Sequence, residues 1–154
     1  MPITIEVHGA SILVDEQDAH LGKIRWRMNR TGYPVSTKHG YMHRLIAGAG
    51  PGQIVDHKNG DPKDNRRDNL RFASPLENSA NARIRSDNTS GFKGVTWKSG
   101  ARKWYAQIRD GKKRKHLGAF DDAADAAKAY DAAAERLFGE FAWLNRHHCE
   151  GLRK

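Results

Sequence analysis

The sequence of 154 residues contains one cysteine, Cys149, and no long run of apolar residues. A single cysteine cannot form an intramolecular disulfide, and a zinc site built from cysteine thiolates is excluded as well. A helix that spans a bilayer needs about 20 apolar residues, and no stretch of this chain has them. The N-terminus, Met1-Pro2-Ile3-Thr4, also lacks the basic region and apolar core of a signal peptide. We therefore expect a reducing, cytoplasmic setting and no membrane partner.

Positive charge is abundant and unevenly distributed. The chain has 27 Lys and Arg against 18 Asp and Glu, which gives a net charge of +9 and a pI near 9.9. Residues 87–118 alone hold nine Lys or Arg and only two Asp. Such a balance favours a polyanionic partner, nucleic acid first and an acidic membrane surface second. The alternative is that this stretch is simply a solvated face.

Residues 53–85 predict a strand-loop-strand-helix unit, preceded by a strand-rich segment over residues 1–40. The first strand ends on Asp56 and His57, and the loop that follows has no apolar residue. Asn69 then opens a second short apolar run. A carboxylate, an imidazole and a carboxamide are thus expected at one end of a strand pair.

The helix of this unit has clear start signals. Ser74 is a good N-cap, Pro75 suits the first helical position, and Glu77 completes a capping box. Asn78 is therefore expected in the first turn of the helix, where its carboxamide is held by the capped end.

These side chains suit hydrolysis of a phosphodiester. A hard cation such as Mg²⁺ prefers oxygen ligands and uses one or two carboxylates together with water and phosphate oxygens. Asp56 and Asn78 can supply such oxygens. His57 can take a proton from water, and the Asn69 carboxamide can hydrogen-bond the backbone near His57 and fix the ring.

Residues 41–78 resemble the HNH endonucleases, a family found in phages and among homing endonucleases. The resemblance is carried by the pattern Y-M-H-R-L-I…V-D-H-K-N-G…D-N…N-L-R-F…E-N. It implies that His57 is the general base, Asp56 and Asn78 are metal ligands, and Asn69 braces the loop. Many members have His where this chain has Asn78, and the Asn variant belongs to the homing subgroup. The Asn at this position implies an oxygen-ligated Mg²⁺ or Mn²⁺, and the resemblance as a whole implies a bacterial or phage source.

The chain from residue 91 to 145 predicts a second unit of three strands and one helix. Trp104, Ala106 and Ile108 alternate with polar residues, which is typical of a strand with one buried face. The following helix is capped by Asp122 and carries a stripe of small alanines. The open face of the sheet is predicted to be basic, as needed to enter the major groove of DNA.

This second unit resembles the APETALA2/ethylene-response DNA-binding domain. The motifs that carry the resemblance are G-F-K-G-V-T-W, W-Y-A-Q-I-R-D, L-G-A-F, A-A-K-A-Y-D-A-A-A and F-A-W-L-N. It implies that double-stranded DNA is contacted by Lys93, Thr96, Lys98, Gln107, Arg109, Arg114 and His116.

Three of these positions, Lys93, Thr96 and Lys98, replace arginines of that family. Lysine cannot form the bidentate contact that arginine makes with guanine, so we expect a different or looser base preference.

The sequence thus predicts an α+β protein: an HNH nuclease domain over 1–86 with a ββα-metal core at 53–85, a linker at 87–90, an APETALA2-like domain at 91–145 and a basic tail at 146–154. We expect a monomer or weak dimer that cuts DNA. The alternative is a non-catalytic, sequence-specific DNA-binding regulator with a degenerate HNH unit.

Two further histidine positions stay open. His43 is either close to a metal site or packed in the small core, and His147-His148-Cys149 is either a metal site or part of a flexible tail.

Overall fold

The computed structural model describes residues 1–146 and divides the chain into two compact units. The first unit runs from Met1 to Pro75 and the second begins at Leu76. Both combine small antiparallel sheets with helices, as the predicted mixture of strands and helices requires. Within residues 1–146, no helix is long and apolar enough to cross a membrane. The tail residues from 147 onward, including Cys149, lie outside the described part of the chain.

The first unit begins with a hairpin. Strand β1 (Pro2–Val7) pairs with β2 (Ala10–Asp15) across a turn in which His8 and Gly9 have φ of 49° and 79°. A 3₁₀ helix, Glu16–Lys23, follows where no helix was predicted.

Three short strands then form a second sheet, in the order β3 (Arg27–Met28), β4 (Pro34–Ser36) and β5 (Gly40–Tyr41). Helix α1 (Met42–Ile46) follows directly. The last two strands of the unit, β6 (Ile54–His57) and β7 (Leu70–Ala73), pair antiparallel with His57 opposite Leu70. The two strands predicted around the polar loop are therefore present.

One apolar core holds these sheets together. Ile12, Val14 and Met42 are fully buried at its centre, and Trp26 is 5% exposed. The indole Nε1 of Trp26 donates to the carbonyl of Leu21 at 2.8 Å, so the polar atom of this large ring is satisfied. The core thus links β2, the 3₁₀ helix and α1 behind the strand pair β6–β7.

The second unit contains a three-stranded sheet in the order β10-β9-β8 and a long helix. The strands are β8 (Val95–Lys98), β9 (Lys103–Asp110) and β10 (Lys113–Phe120), and the helix is α3 (Ala123–Phe138). The Asp122 side chain accepts from the backbone N–H of Ala124 at 2.6 Å, as its predicted N-cap role requires.

Small residues let α3 approach the sheet closely. Ala106 on β9 and Ala126 on α3 have no exposed surface. The ring of Tyr130 lies so close to Gly94 that a Cβ added there would sit 2.0 Å from it, and Gly94 has φ of 74°. Only glycine fits this position.

Helix α2 (Pro75–Asn81) packs within the second unit. Ala80 and Asn81 are buried, and the carbonyl of Ala80 accepts from the Lys93 ammonium at 2.5 Å and from the Trp143 backbone N–H at 3.2 Å. The division between the units falls between Pro75 and Leu76, at the start of α2, and the linker expected at 87–90 stays a prediction.

Candidate functional site

Strand β6 buries the two predicted chemical groups next to each other. Asp56 is 7% exposed and His57 is 3% exposed at the end of the strand. The pairing of β6 with β7 places Arg71 opposite Asp56. A buried carboxylate and a buried imidazole are costly to fold around unless each has partners, so their surroundings show how the site is built.

Asp56 is held by a buried guanidinium. Both Nε and Nη2 of Arg71 lie 3.0 Å from Oδ2 of Asp56, and both side chains are less than a tenth exposed. Arg71 thus balances the charge of Asp56, a contact that no sequence motif had indicated.

His57 is held by an asparagine that the sequence did not single out. Nε2 of His57 lies 3.3 Å from Oδ1 of Asn65, which is fully buried. Burial lowers the pKa of His57, while the hydrogen bond with Asn65 and the negative charge of Asp56 act in the opposite direction. At neutral pH the imidazole is therefore unprotonated, the state that a general base requires.

Asn69 fixes the loop that follows His57. Its Oδ1 accepts from the backbone N–H of Asn59 at 3.1 Å, and its Nδ2 donates to the carbonyl of Asp64 at 2.7 Å. Its own carbonyl accepts from the backbone N–H of Lys58 at 2.8 Å. These contacts are with the main chain beside His57, the place where the sequence predicted a bracing carboxamide.

The N-terminal hairpin supports the same loop from another side. The backbone N–H of Leu13 donates to Lys63, and the backbone N–H of Asn65 donates back to Leu13, each at 2.8 Å. Farther along, Arg67 forms a two-point ion pair with the buried carboxylate of Asp18, at 2.7 and 2.9 Å. The loop thus has a defined conformation although it contains almost only polar residues.

Aromatic and imidazole rings surround His57. The rings of His43 and His57 are 5.0 Å apart edge to face, and Tyr33 lies 5.2 and 5.7 Å from them. Burial lowers the pKa of His43 to about 3, with His57 as the second cause. Its Nδ1 has no hydrogen-bond partner within residues 1–146. His43 is therefore a neutral, packed ring beside His57.

Each of the two predicted metal ligands carries oxygen atoms of the kind that a hard cation prefers. Within residues 1–146, no three or more His, Cys, Asp or Glu side chains gather to hold a metal. Asp56 offers carboxylate oxygens, and Asn78 on α2 offers a carboxamide oxygen, both of which suit Mg²⁺ or Mn²⁺. Asp56 belongs to the first unit and Asn78 to the second.

The sheet of the second unit brings six predicted contact residues to one face. Gln107 and Arg109 alternate with the buried Ala106 and Ile108 on β9, so they lie on the face away from α3. The strand register extends this face across the sheet, with Arg114 and His116 on β10 and Thr96 and Lys98 on β8. We call these six residues the open face.

Lys93, the seventh predicted contact residue, differs from the six residues of the open face in where its ammonium binds. Its ammonium donates to the carbonyls of Ala80 and Ala82 at the end of α2, and burial lowers its pKa to about 8. An open cleft of about 550 Å³ is nevertheless lined by Lys93 together with five residues of the open face: Thr96, Lys98, Gln107, Arg109 and Arg114.

Comparison with known proteins identifies the first unit. The sequence profile of the HNH endonuclease family matches residues 40–80, which include β6, β7 and the loop between them. The chain is 34% identical over 134 residues to an uncharacterised HNH endonuclease of Acanthamoeba polyphaga mimivirus, covering 82% of this chain and 69% of that protein. The chain belongs to the HNH endonuclease family.

Two other relatives cover smaller shares of the chain. Protein 3.8 of Escherichia phage T7 is 35% identical over 91 residues, covering 59% of this chain and 74% of that protein. An ethylene-responsive transcription factor of Arabidopsis thaliana is 52% identical over 59 residues, 37% of this chain and 23% of the plant protein. No solved structure is significantly similar to the chain.

Proposed function

We propose that the protein is a metal-dependent DNA endonuclease that hydrolyses phosphodiester bonds. The observation that carries this proposal is the buried pair Asp56 and His57 at the end of β6, in which the His57 ring is hydrogen-bonded with the Asn65 side chain. Membership of the HNH endonuclease family supports the same activity.

His57 would act as the general base. Its pKa is lowered by burial, so the ring is unprotonated at neutral pH and can take a proton from the attacking water. Asn69 would keep the loop after His57 in place through its three main-chain contacts. Both roles depend on a fixed loop conformation, which the backbone hydrogen bonds between Leu13 of β2 and the loop support.

Asp56 and Asn78 would be the protein ligands of Mg²⁺ or Mn²⁺. When bound, such an ion stabilises the negative charge on the phosphate and on the leaving 3′-oxygen. Arg71 engages Oδ2 of Asp56, and a carboxylate has acceptor sites on both oxygens, so the ion pair is compatible with a cation ligand. The Asn at position 78 supports a homing-type enzyme.

The open face of the second unit would hold double-stranded DNA. A basic, three-stranded sheet can enter the major groove, and the likeness to a plant transcription factor falls on this unit. Arg109 and Arg114 lie side by side on this face and can contact bases or phosphates. One such site per chain favours nicking by a monomer, and a double-strand break would need a weak dimer or two successive cuts.

Cleavage of supercoiled plasmid tests this proposal. We expect the wild-type chain with Mg²⁺ to relax or linearise the plasmid, and His57→Ala to be about 10²- to 10⁴-fold slower because the general base is lost. His20→Ala is the matched control, since His20 is an exposed histidine of the same unit.

Equal cleavage rates of wild type and His57→Ala would show that His57 is not the general base. A wild-type chain that binds duplex DNA but never cuts it would instead favour the alternative, a DNA-binding regulator with an inactive HNH unit.

A further inference from the structure

We propose that Lys93 is a positioning residue that fixes helix α2, and with it Asn78, to the sheet that holds DNA, and that it does not contact DNA itself. This inference rests on the proposed function for one point, the role of Asn78 as a metal ligand. Both α2 and the sheet belong to the second unit.

The ammonium of Lys93 binds the carboxyl end of α2. Its Nζ donates to the carbonyl of Ala80 at 2.5 Å and to that of Ala82 at 2.6 Å. The last carbonyls of a helix have no partner within the helix and carry partial negative charge, so a lysine is favourable there. Because α2 has only seven residues, its stability depends on contacts of this kind.

The main chain of Lys93 is fixed by a buried asparagine. Its N–H donates to Oδ1 of Asn145 at 2.6 Å, and its carbonyl accepts from Nδ2 of Asn145 at 3.2 Å. Asn145 is 2% exposed, and its Nδ2 and backbone N–H both donate to Oδ1 of Asp131 on α3, at 2.9 and 2.8 Å. Lys93 therefore connects α2 to the packed interior of the second unit.

The surroundings of Lys93 differ from those of Lys98, the next lysine in the chain. Lys98 on β8 is exposed, whereas Lys93 is partly buried and its ammonium is bound to two carbonyls. Both border the open cleft of about 550 Å³, whose other lining residues include Ser79 of α2 and Arg109 of the open face. The helix that Lys93 holds thus borders the same cleft as the residues proposed to hold DNA.

This contact has a consequence for the metal site. Asn78 lies on the same helix as Ala80, one position before Ser79. If the end of α2 is not held, the carboxamide of Asn78 is presented to the cation for only part of the time. Loss of an outer residue that orients a metal ligand lowers metal affinity about 10- to 100-fold. Duplex affinity comes from the open face, so we expect it to stay unchanged.

Hydrogen exchange of the full chain, recorded by mass spectrometry without metal or DNA, tests the contact. Lys93→Met keeps the length of the side chain and removes its donors, so the amides of α2 should exchange about 10- to 100-fold faster. Lys98→Met is the matched control and should leave this exchange unchanged. Lys93→Arg keeps donors and should retain most of the protection. Equal exchange of α2 in wild type and Lys93→Met overturns the proposal.

Peptides from α3 report in the same experiment whether the second unit is folded. Where Lys93→Met loses the protection of α3, the shorter and polar Lys93→Gln is compared with wild type in its place, with the same expected and contradicting results for α2.

The salt dependence of duplex binding tests whether Lys93 contacts DNA. Each phosphate contact contributes about 1 to the slope of log K against log salt. Lys98→Met should reduce the slope by about 1, whereas Lys93→Met should leave the slope and the affinity as in wild type. A slope reduced by about 1 in Lys93→Met overturns the proposal, because it shows that the ammonium neutralises a phosphate.

Binding of Mn²⁺ to the full chain, measured from the EPR signal of the free ion, tests the link to Asn78. We expect Lys93→Met to bind Mn²⁺ about 10- to 100-fold more weakly than wild type, and Lys93→Arg to bind it nearly as well. Equal Mn²⁺ affinities of wild type and Lys93→Met overturn the positioning role.

These measurements separate the inference from the proposed function. A wild-type chain that shows the expected hydrogen exchange and salt dependence, but neither binds Mn²⁺ nor cuts plasmid, supports the fixed place of α2 and overturns the nuclease activity.

Discussion

The polar side chains of the two units are used in opposite ways. In the first unit Asp56, His57 and Asn69 are all less than a tenth exposed and each has a fixed partner. In the second unit Arg109 and Arg114 extend into solvent from neighbouring strands. The first arrangement suits chemistry, which needs groups held in one geometry, and the second suits long-range attraction of a polyanion.

The same contrast appears in how charge is balanced. The carboxylates of Asp18 and Asp56 in the first unit are each paired with an arginine. The nine Lys or Arg between residues 87 and 118 face only two Asp. Fixed charge pairs and unbalanced surface charge should therefore respond differently to mutation, to pH and to salt.

The largest effect is expected from Arg71→Gln. Removing one partner of a buried ion pair leaves the other charge buried alone, which typically costs about 3 to 5 kcal/mol. The free energy of unfolding, measured by urea denaturation, should fall by this amount. Added Mg²⁺ should restore part of it, because a ligand that binds only the folded chain stabilises it.

The matched control is Arg85→Gln. Arg85 pairs with Asp87 on the surface, where both side chains are more than two-thirds exposed, so its loss should change stability by less than about 1 kcal/mol. Equal effects of the two substitutions would show that Asp56 does not depend on Arg71.

A smaller loss in the free energy of unfolding is expected when the pH is lowered. The pKa of His43 is about 3 in the folded chain and 6.5 for an ordinary histidine. Below pH 6.5 the unfolded chain binds a proton that the folded chain does not, so stability falls as the pH falls toward 3. At pH 4.5 the loss should be roughly 3 kcal/mol, from two pH units of about 1.4 kcal/mol each.

Denaturation between pH 7.5 and 4.5 measures this loss. His43→Phe keeps a buried ring without a titratable group, so its stability should depend less steeply on pH. An identical pH dependence of the two proteins would mean that other groups cause the acid sensitivity.

The smallest change in free energy, here that of DNA binding, is expected from substitutions in the open face. Arg109→Ala with Arg114→Ala should weaken duplex binding about 10- to 100-fold and reduce the slope of log K against log salt by about 2. Lys128→Ala with Arg136→Ala removes the same charge from exposed positions on α3 and is the control. If both double variants bind equally well, the open face is not the DNA-binding surface.

The strands and the helix start around the candidate site could be predicted because their signals are local in sequence. Short apolar runs on either side of the polar loop located β6 and β7, alternation located β9, and the Ser74-Pro75 pair located the start of α2. The bracing contacts of Asn69 also lie within the loop that the sequence defined.

Other features depend on contacts between distant residues. In the sequence, nothing distinguishes Asn65 from the other asparagines of the polar loop. Its backbone hydrogen bond to Leu13, 52 positions earlier, helps to place its side chain beside His57. Lys93 was predicted to contact DNA from its position in a motif, yet it reaches the carbonyls of Ala80 and Ala82. Periodicity along the chain carries no information on such pairs.

The central claim is that His57 carries out the proton transfer of cleavage and that the open face holds the DNA. Nicking of supercoiled plasmid with Mg²⁺, under single-turnover conditions and across a range of protein concentrations, tests it most directly. The account predicts that His57→Ala stays about 10²- to 10⁴-fold slower than wild type at every concentration, while Arg109→Ala with Arg114→Ala reaches the wild-type maximal rate at higher protein concentration. Cleavage by His57→Ala at the wild-type rate, or a lowered maximal rate of the double variant at an unchanged half-saturating concentration, would contradict it.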